Sequence, residues 1–364
     1  MRRRPLAALA SLALALAALV ALDRILSRGG EDRRRESVRV EPLLTPEQVE
    51  GWTFAVLRVE EAGTGRVFLY GRREGVWLCL SHHGAVADAA AVEGVMTSLL
   101  EAEGVVQSED PERAHHYGLD RPGMLRLSVH GPAAFSAPDA DLLVAFDLGL
   151  AVPGTGGTYL RPAGSDRVWA VDAPLREWLT PPATDLPPLL DPHLVPAVWP
   201  GLRQGLAAVE VRPAGAPAYR RERRVEAPPD GELPPGAPGR DIWVVRSSGR
   251  ERPAHPFQAA LYTAFLTRAP YAGLLPPERA AELGLDPPAA RVRLVPAAGE
   301  PLELALGAPS PEGVAAASSI SGSLLRLDPE VAELLAPPAE RLLDAAGGSP
   351  WEPFLRPEPP TPPR

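Results

Sequence analysis

One short pattern occurs twice in these 364 residues and restricts the fold more than any other feature. It reads HHYGLDRPGMLRLSV from His115 to Val129 and AAELGLDPPAARVRLV from Ala280 to Val295. Gly118-Leu119-Asp120 and Gly284-Leu285-Asp286 stand 166 residues apart, and Trp77 and Trp243 keep the same spacing upstream. A constant spacing between unlike motifs marks an internal repeat. Two tandem homologous domains are therefore expected.

Glycine just past a helix end takes the left-handed conformation without a Cβ clash, and Gly118 and Gly284 fit that place. Leu119 and Leu285 then fold back on the last turn, while Asp120 and Asp286 offer carboxylates to nearby backbone amides. Pro122 and Pro288 forbid helix and favour extended chain. An acid/base pair or metal ligation is the competing reading of the two aspartates, but the turn accounts for them without chemistry.

At the N-terminus, MRRR precedes the uncharged run PLAALASLALALAALVAL from Pro5 to Leu22. At 1.5 Å per residue the run reaches about 27 Å, against a hydrocarbon core of roughly 30 Å. Ile25-Leu26 extend it if Asp23 and Arg24 snorkel. Residues 1–27 are read as one transmembrane helix, with a cleaved signal peptide as the alternative. The N-terminus is assumed to lie inside, although arginines flank both ends of the run. Residues 28–52 are expected to form a solvated juxtamembrane stalk.

The first repeat, 53–180, opens with TFAVLRVEE, RVFLYGR and GVWLCLS, an antiparallel meander by its alternation and turns. Asp88 is then a plausible N-cap for a helix whose Val92, Val95, Met96, Leu99 and Leu100 share one face. In the second repeat, 206–345, Leu261, Tyr262, Phe265 and Leu266 take the last four of these places. Gln258 falls on the first, with Phe257 expected to substitute for it. After each GLDxP turn a strand ends in Leu-Gly, at Gly149 and Gly307, 158 residues apart. The strand between turn and glycine is one residue out of register, which implies a single-residue indel near Pro288, because a slip of one would turn the strand over. Each repeat closes with two strands and a short helix. Asp172 is expected to cap the first, with Leu175, Trp178 and Leu179 inward; Asp328 caps the second, with Val331, Leu334 and Leu335 inward. A Pro-rich linker spans 181–205, and a Pro-rich tail, 346–364, is expected to be disordered, with Trp351 and Phe354 expected to pack on their own domain and docking onto a partner as the alternative. The fold class is thus α+β: two homologous domains, each a meander, an amphipathic helix, further hairpins and a closing helix, behind one transmembrane helix.

The function classes narrow by exclusion. A net charge of -9 and a pI near 5.4 argue against nucleic-acid binding. The single cysteine, Cys79, excludes an internal disulfide and any multi-cysteine metal site, and it lies in an apolar strand opposite Val245 in the repeat. His82-His83 and His115-His116 are adjacent pairs, whose side chains diverge rather than chelate. The loop PGTGGTY, Pro153 to Tyr159, lacks the Gly-Lys-Ser/Thr of a phosphate loop and reads as a hairpin connection. No nucleophile elbow or triad spacing is present. No catalytic residue, cofactor or metal ligand is assigned, and the chain is not expected to be an enzyme.

The order GVWLC, amphipathic helix, YGLDRP, a strand ending LG, TYLR and VWAVD resembles the bacterial family called domain of unknown function 4340 (DUF4340). The likeness is good over Thr53 to Pro192 and weaker over Leu206 to Asp344, where IWVV, LGLDPP, LALG and LLRLD survive. The resemblance implies a repeat domain on the outer, periplasmic face of the bacterial cytoplasmic (inner) membrane, single-pass, beside ABC-type transport or gliding-motility-like components. A membrane-anchored, non-enzymatic binding or scaffold protein with a membrane-protein partner is the reading that follows. An envelope hydrolase with its site in the first repeat, or a purely structural envelope protein, are the alternatives.

Overall fold

The computed structural model describes residues 40–137, 140–181, 186–226, 240–344 and 349–355. The expected transmembrane helix, 1–27, lies outside the described residues. The first unit contains β1 (Val40–Pro42), α1 (Pro46–Val49), β2 (Val56–Glu61), β3 (Val67–Arg73), β4 (Val76–Cys79), β5 (Ala85–Val86), α2 (Ala89–Leu100), β6 (Glu103–Ser108), β7 (Leu125–His130), β8 (Leu142–Ala151), β9 (Thr158–Pro162), β10 (Val168–Val171) and α3 (Leu175–Leu179). After α4 (Pro200–Gln204) the second runs through β11 (Leu206–Arg212), β12 (Tyr219–Glu226), β13 (Arg240–Ser247), β14 (Arg250–Pro253), α5 (Pro256–Arg268), β15 (Gly273–Leu275), β16 (Ala290–Pro296), β17 (Leu302–Leu306), β18 (Val314–Ser318), β19 (Leu324–Leu327), α6 (Pro329–Leu335) and α7 (Glu340–Leu343).

These strands form two antiparallel sheets. The first is ordered β1-β6-β10-β9-β8-β7-β2-β3-β4-β5 and the second, from the matching edge, β15-β19-β18-β17-β16-β11-β12-β13-β14. With β1 set aside, the two orders coincide strand for strand. The α+β expectation is corrected by this: the protein is mostly β, and its longest described helix, α5, has 13 residues. Most of the apolar residues recur at period two and are consumed by sheet, which leaves each unit one helix of about three turns and a short closing one. Among the described residues no helix is long and apolar enough to cross a membrane.

Each sheet packs one face against its helix, and in the first the Pro132–Phe135 turn also covers Val56 on the other face. In the first unit Leu57, Val59, Leu127 and Phe146 meet Val92, Val95, Met96 and Leu99 of α2, whose first turn is held by the Asp88 carboxylate accepting from the Ala90 and Ala91 amides at 2.9 and 3.1 Å. In the second, Val209, Val292 and Leu304 meet Tyr262, Phe265 and Leu266 of α5. Phe257 does not take the place expected of it. It is 54% exposed, and Gln258, which shares the stripe of Tyr262 and Phe265 at i+4 and i+7, is buried.

The closing helices differ from expectation in detail. α3 begins only at Leu175, after Pro174 as N-cap, so Asp172 is too far back to cap it. A five-residue helix has one short inward stripe, which Leu175 and Leu179 fill, and Trp178 remains 40% exposed. In α6, Val331, Leu334 and Leu335 are buried, but the Asp328 side chain makes no capping hydrogen bond.

Three stretches outside the two expected repeats contribute to the cores. From Val40 the expected stalk supplies β1, paired with β6, and buries Leu43 and Leu44. The linker packs Leu189, Leu190, Leu194, Val195 and Trp199, and bonds to both units: the Asp191 amide donates to the Val86 carbonyl, the Leu194 amide to the Ala269 carbonyl. In the tail, Trp351 is fully buried against Tyr262, and its indole N–H donates to the Leu334 carbonyl at 3.2 Å.

Candidate functional site

The repeated turn is structural at the atomic level. Gly118 and Gly284 have φ of 75° and 69°, and the Leu119 and Leu285 amides donate back to the Ala114 and Ala280 carbonyls at 3.2 and 3.0 Å. This is the wide bond of a glycine-terminated helix end, closed here on 3-10 turns. The strand glycines complete it. A Cβ on Gly149 would sit 2.1 Å from the Tyr117 carbonyl oxygen, and one on Gly307 2.2 Å from that of Leu283. Asp120 and Asp286 are exposed and stand in different units, and among the described residues their carboxylates accept no hydrogen bond, so the backbone closes the turn without them.

The histidines do not gather into one site, but Cys79 has His82 beside it, and the His115 and His116 side chains, expected to diverge, lie together. Cys79 is buried, and burial pushes its thiol up to about 11, the wrong direction for a nucleophile. The His82 Nδ1 lies 3.0 Å from the Ser81 hydroxyl and 3.7 Å from the Cys79 sulfur; burial, then the neighbouring His83, lowers its basicity. His115 and His116 stack on each other with ring centroids 3.9 Å apart, and the His115 Nδ1 contacts the Glu112 carbonyl at 2.6 Å. Among the described residues no three His, Cys, Asp or Glu side chains group as metal ligands. The Gly-rich loop after Pro153 connects β8 to β9, with Gly154 and Gly156 at positive φ.

Two features missed in the sequence stand out. The first is internal. Arg221 of β12 is wholly buried, its guanidinium 4.1 Å from the Trp243 ring centre and 5.0 Å from that of Tyr262. It donates to the Ala259 carbonyl and the Thr263 hydroxyl, each at 2.8 Å, while its Nε and the nearby Tyr219 hydroxyl have no hydrogen-bond partner among the described residues. Desolvation lowers its pKa to about 10. Tyr70 occupies the corresponding register of the first sheet: it faces Leu57 and Cys79, where Arg221 faces Val209 and Val245.

The second is external. The outward face of the second sheet, across β12, β11, β16, β17 and β18, forms an open groove of about 760 Å³. Side chains alternate across a strand, so burying Val211, Val292 and Leu304 turns Arg212, Arg291, Arg293 and Glu303 outward. Arg293 lies 3.4 Å from Glu210 and 3.3 Å from Glu303, and Arg220 pairs with Glu210. At the rim, Arg246 pairs with Glu251, which hydrogen bonds from Arg224 and Arg246 pull down to about 2. Such exposed pairs add little stability. Their effect is to give the face a fixed charge pattern.

Two antiparallel sheets of common strand order, joined by a packed linker, one of them carrying an open charged face, define a two-unit β protein. Residues 77–187 match the family described as Domain of unknown function (DUF4340), from β4 through α3 into the linker. That segment is a DUF4340 domain. No curated protein and no solved structure matches the chain.

Proposed function

We propose that this is a non-enzymatic binding or scaffold protein at the outer face of the bacterial cytoplasmic membrane, accessory to an ABC-type transporter or a gliding-motility-like complex. The observation that carries the reading is the open groove on the second sheet, a surface of ordered charge. A groove of this size with alternating charge suits recognition of another chain. Its partner on this reading is a membrane protein such as a transporter subunit.

Crosslinking the intact protein in native membranes, followed by identification of the captured chains, tests this. Transporter subunits should be recovered from wild type and lost when the groove is altered. Recovery of no partner would favour a purely structural envelope role.

A further inference from the structure

The two sheets can be compared row by row, because Gly149 and Gly307 make the same contact with the repeated turn. Two residues before each glycine, an outward-facing row crosses four strands. In the first sheet the row is Glu60, Arg126, Asp147 and Arg161. In the second it is Arg212, Arg291, Ala305 and Ala317.

In the first row every charge is answered. Asp147 accepts from Arg126 at 2.9 Å and from Arg161 at 3.0 Å, and Glu60 stands across from Arg126. The second row keeps one of these arginines, Arg291, and loses the rest. Alanine replaces the aspartate and its second arginine, and the cross-strand glutamate becomes Arg212. Arg212 and Arg291 are thus direct neighbours of like charge, an arrangement that costs stability unless an anion is shared. Both are exposed, and neither pairs with a carboxylate among the described residues. Both line the groove, with Ala305 and Ala317 on its floor.

We propose that the second sheet binds an acidic peptide segment of a partner protein, one of whose carboxylates lies between Arg212 and Arg291 in the space over Ala305 that the Asp147 side chain fills in the first sheet. The small side chains of Ala305 and Ala317 leave room for the backbone carrying that carboxylate. Planar guanidinium groups on adjacent strands suit bidentate capture of a carboxylate. The ion pairs made by Glu210 and Glu303 with Arg293 leave these glutamates without a claim on Arg212 or Arg291. This inference deepens the scaffold reading and rests on it for the nature of the partner.

The test uses the full chain and fluorescein-labelled Ala-Glu-Ala-Glu-Ala amide, with the glutamine version as control, read by fluorescence anisotropy. Wild type should bind the glutamate probe and not the glutamine one. The double variant R212Q/R291Q should weaken binding about tenfold or more, the weight of a charge-assisted hydrogen bond. A305D, which supplies the missing carboxylate from within, should weaken it equally and raise the melting temperature. Absence of probe binding, equal binding of both probes, or binding untouched by R212Q/R291Q would overturn the proposal. Arginine-dependent binding to phosphatidylglycerol vesicles without binding to the peptide would overturn it in favour of a lipid surface. The two readings separate by adding the double variant to the crosslinking experiment. A partner captured equally by wild type and variant removes this site and leaves the scaffold. Probe binding that behaves as expected with no partner captured removes the scaffold and leaves the site.

Discussion

Replacing Arg221 by methionine should leave the second unit as stable as before or more so, although two hydrogen bonds and two aromatic contacts are lost. The guanidinium is fully buried with no carboxylate beside it among the described residues, and burial pushes its pKa down to about 10 from an ordinary 12.5. Holding it charged in that place at neutral pH therefore costs about 3 kcal/mol. The two aromatic faces return about 2 kcal/mol when desolvated. The acceptors are not orphaned by its removal, because the Thr263 hydroxyl also donates to the Ala259 carbonyl at 2.8 Å. Methionine keeps most of the volume and fills irregular space. The expected change for R221M runs from neutral to about 2 kcal/mol more stable, whereas R221A should lose about 2–4 kcal/mol to the cavity. Urea unfolding followed by tryptophan fluorescence reads both, since Trp243 lies against the substituted side chain. A methionine variant destabilised by more than about 2 kcal/mol would refute the reasoning and show that the aromatic clamp outweighs desolvation.

Three further outcomes are expected. Gly149→Ala and Gly307→Ala should each destabilise by about 1–3 kcal/mol in thermal melts, because the added carbon meets a backbone oxygen that cannot rotate away. Asp191 is subject to burial, which raises its pKa, but hydrogen bonds from His193 and the Ala197 amide more than offset this and leave it below the ordinary value of 3.8. Its contribution is complete above the unfolded pKa and is lost as pH falls through the folded one, so the urea midpoint should drop below about pH 4 and D191N should flatten that limb. The Cys79 thiol, buried and raised to about 11, should react with a thiol reagent only on unfolding, and C79V should melt near wild type.

What could be read from the residues alone is what local physics dictates. The left-handed Gly118 and Gly284, the Asp88 cap, the apolar face of α2 and the alternating strands follow from short-range rules and are found in the structure. The register also contains the shift inferred near Pro288: Leu125 opposite Leu148 corresponds to Ala290 opposite Leu306, one residue closer than the turns. Features that depend on distant strands were not legible. Val40–Pro42 has no pattern of its own and becomes a strand only because β6 offers an edge. Arg221 sits in a run of arginines, and only the register of β12 against α5 shows that it points inward. The outward row was hidden for the same reason, since Arg212, Arg291, Ala305 and Ala317 come from four strands spread over 106 positions. The peripheral reading of the linker followed composition, which does not register that Trp199 has a pocket waiting, whereas the expected packing of Trp351 on its own domain is found.

Strand order also separates the borders of sequence similarity from the borders of anything that could stand alone. The matched segment begins at Trp77, inside β4, while β2 and β3 lie between β7 and β4 in the sheet. A polypeptide excised at 77–187 would carry the seam of the sheet without its middle, leaving the β7 edge bare. Recombinant work on this region should instead start ahead of Val40 and run past Asp191, so that the first sheet keeps its interior and the clasp that closes it.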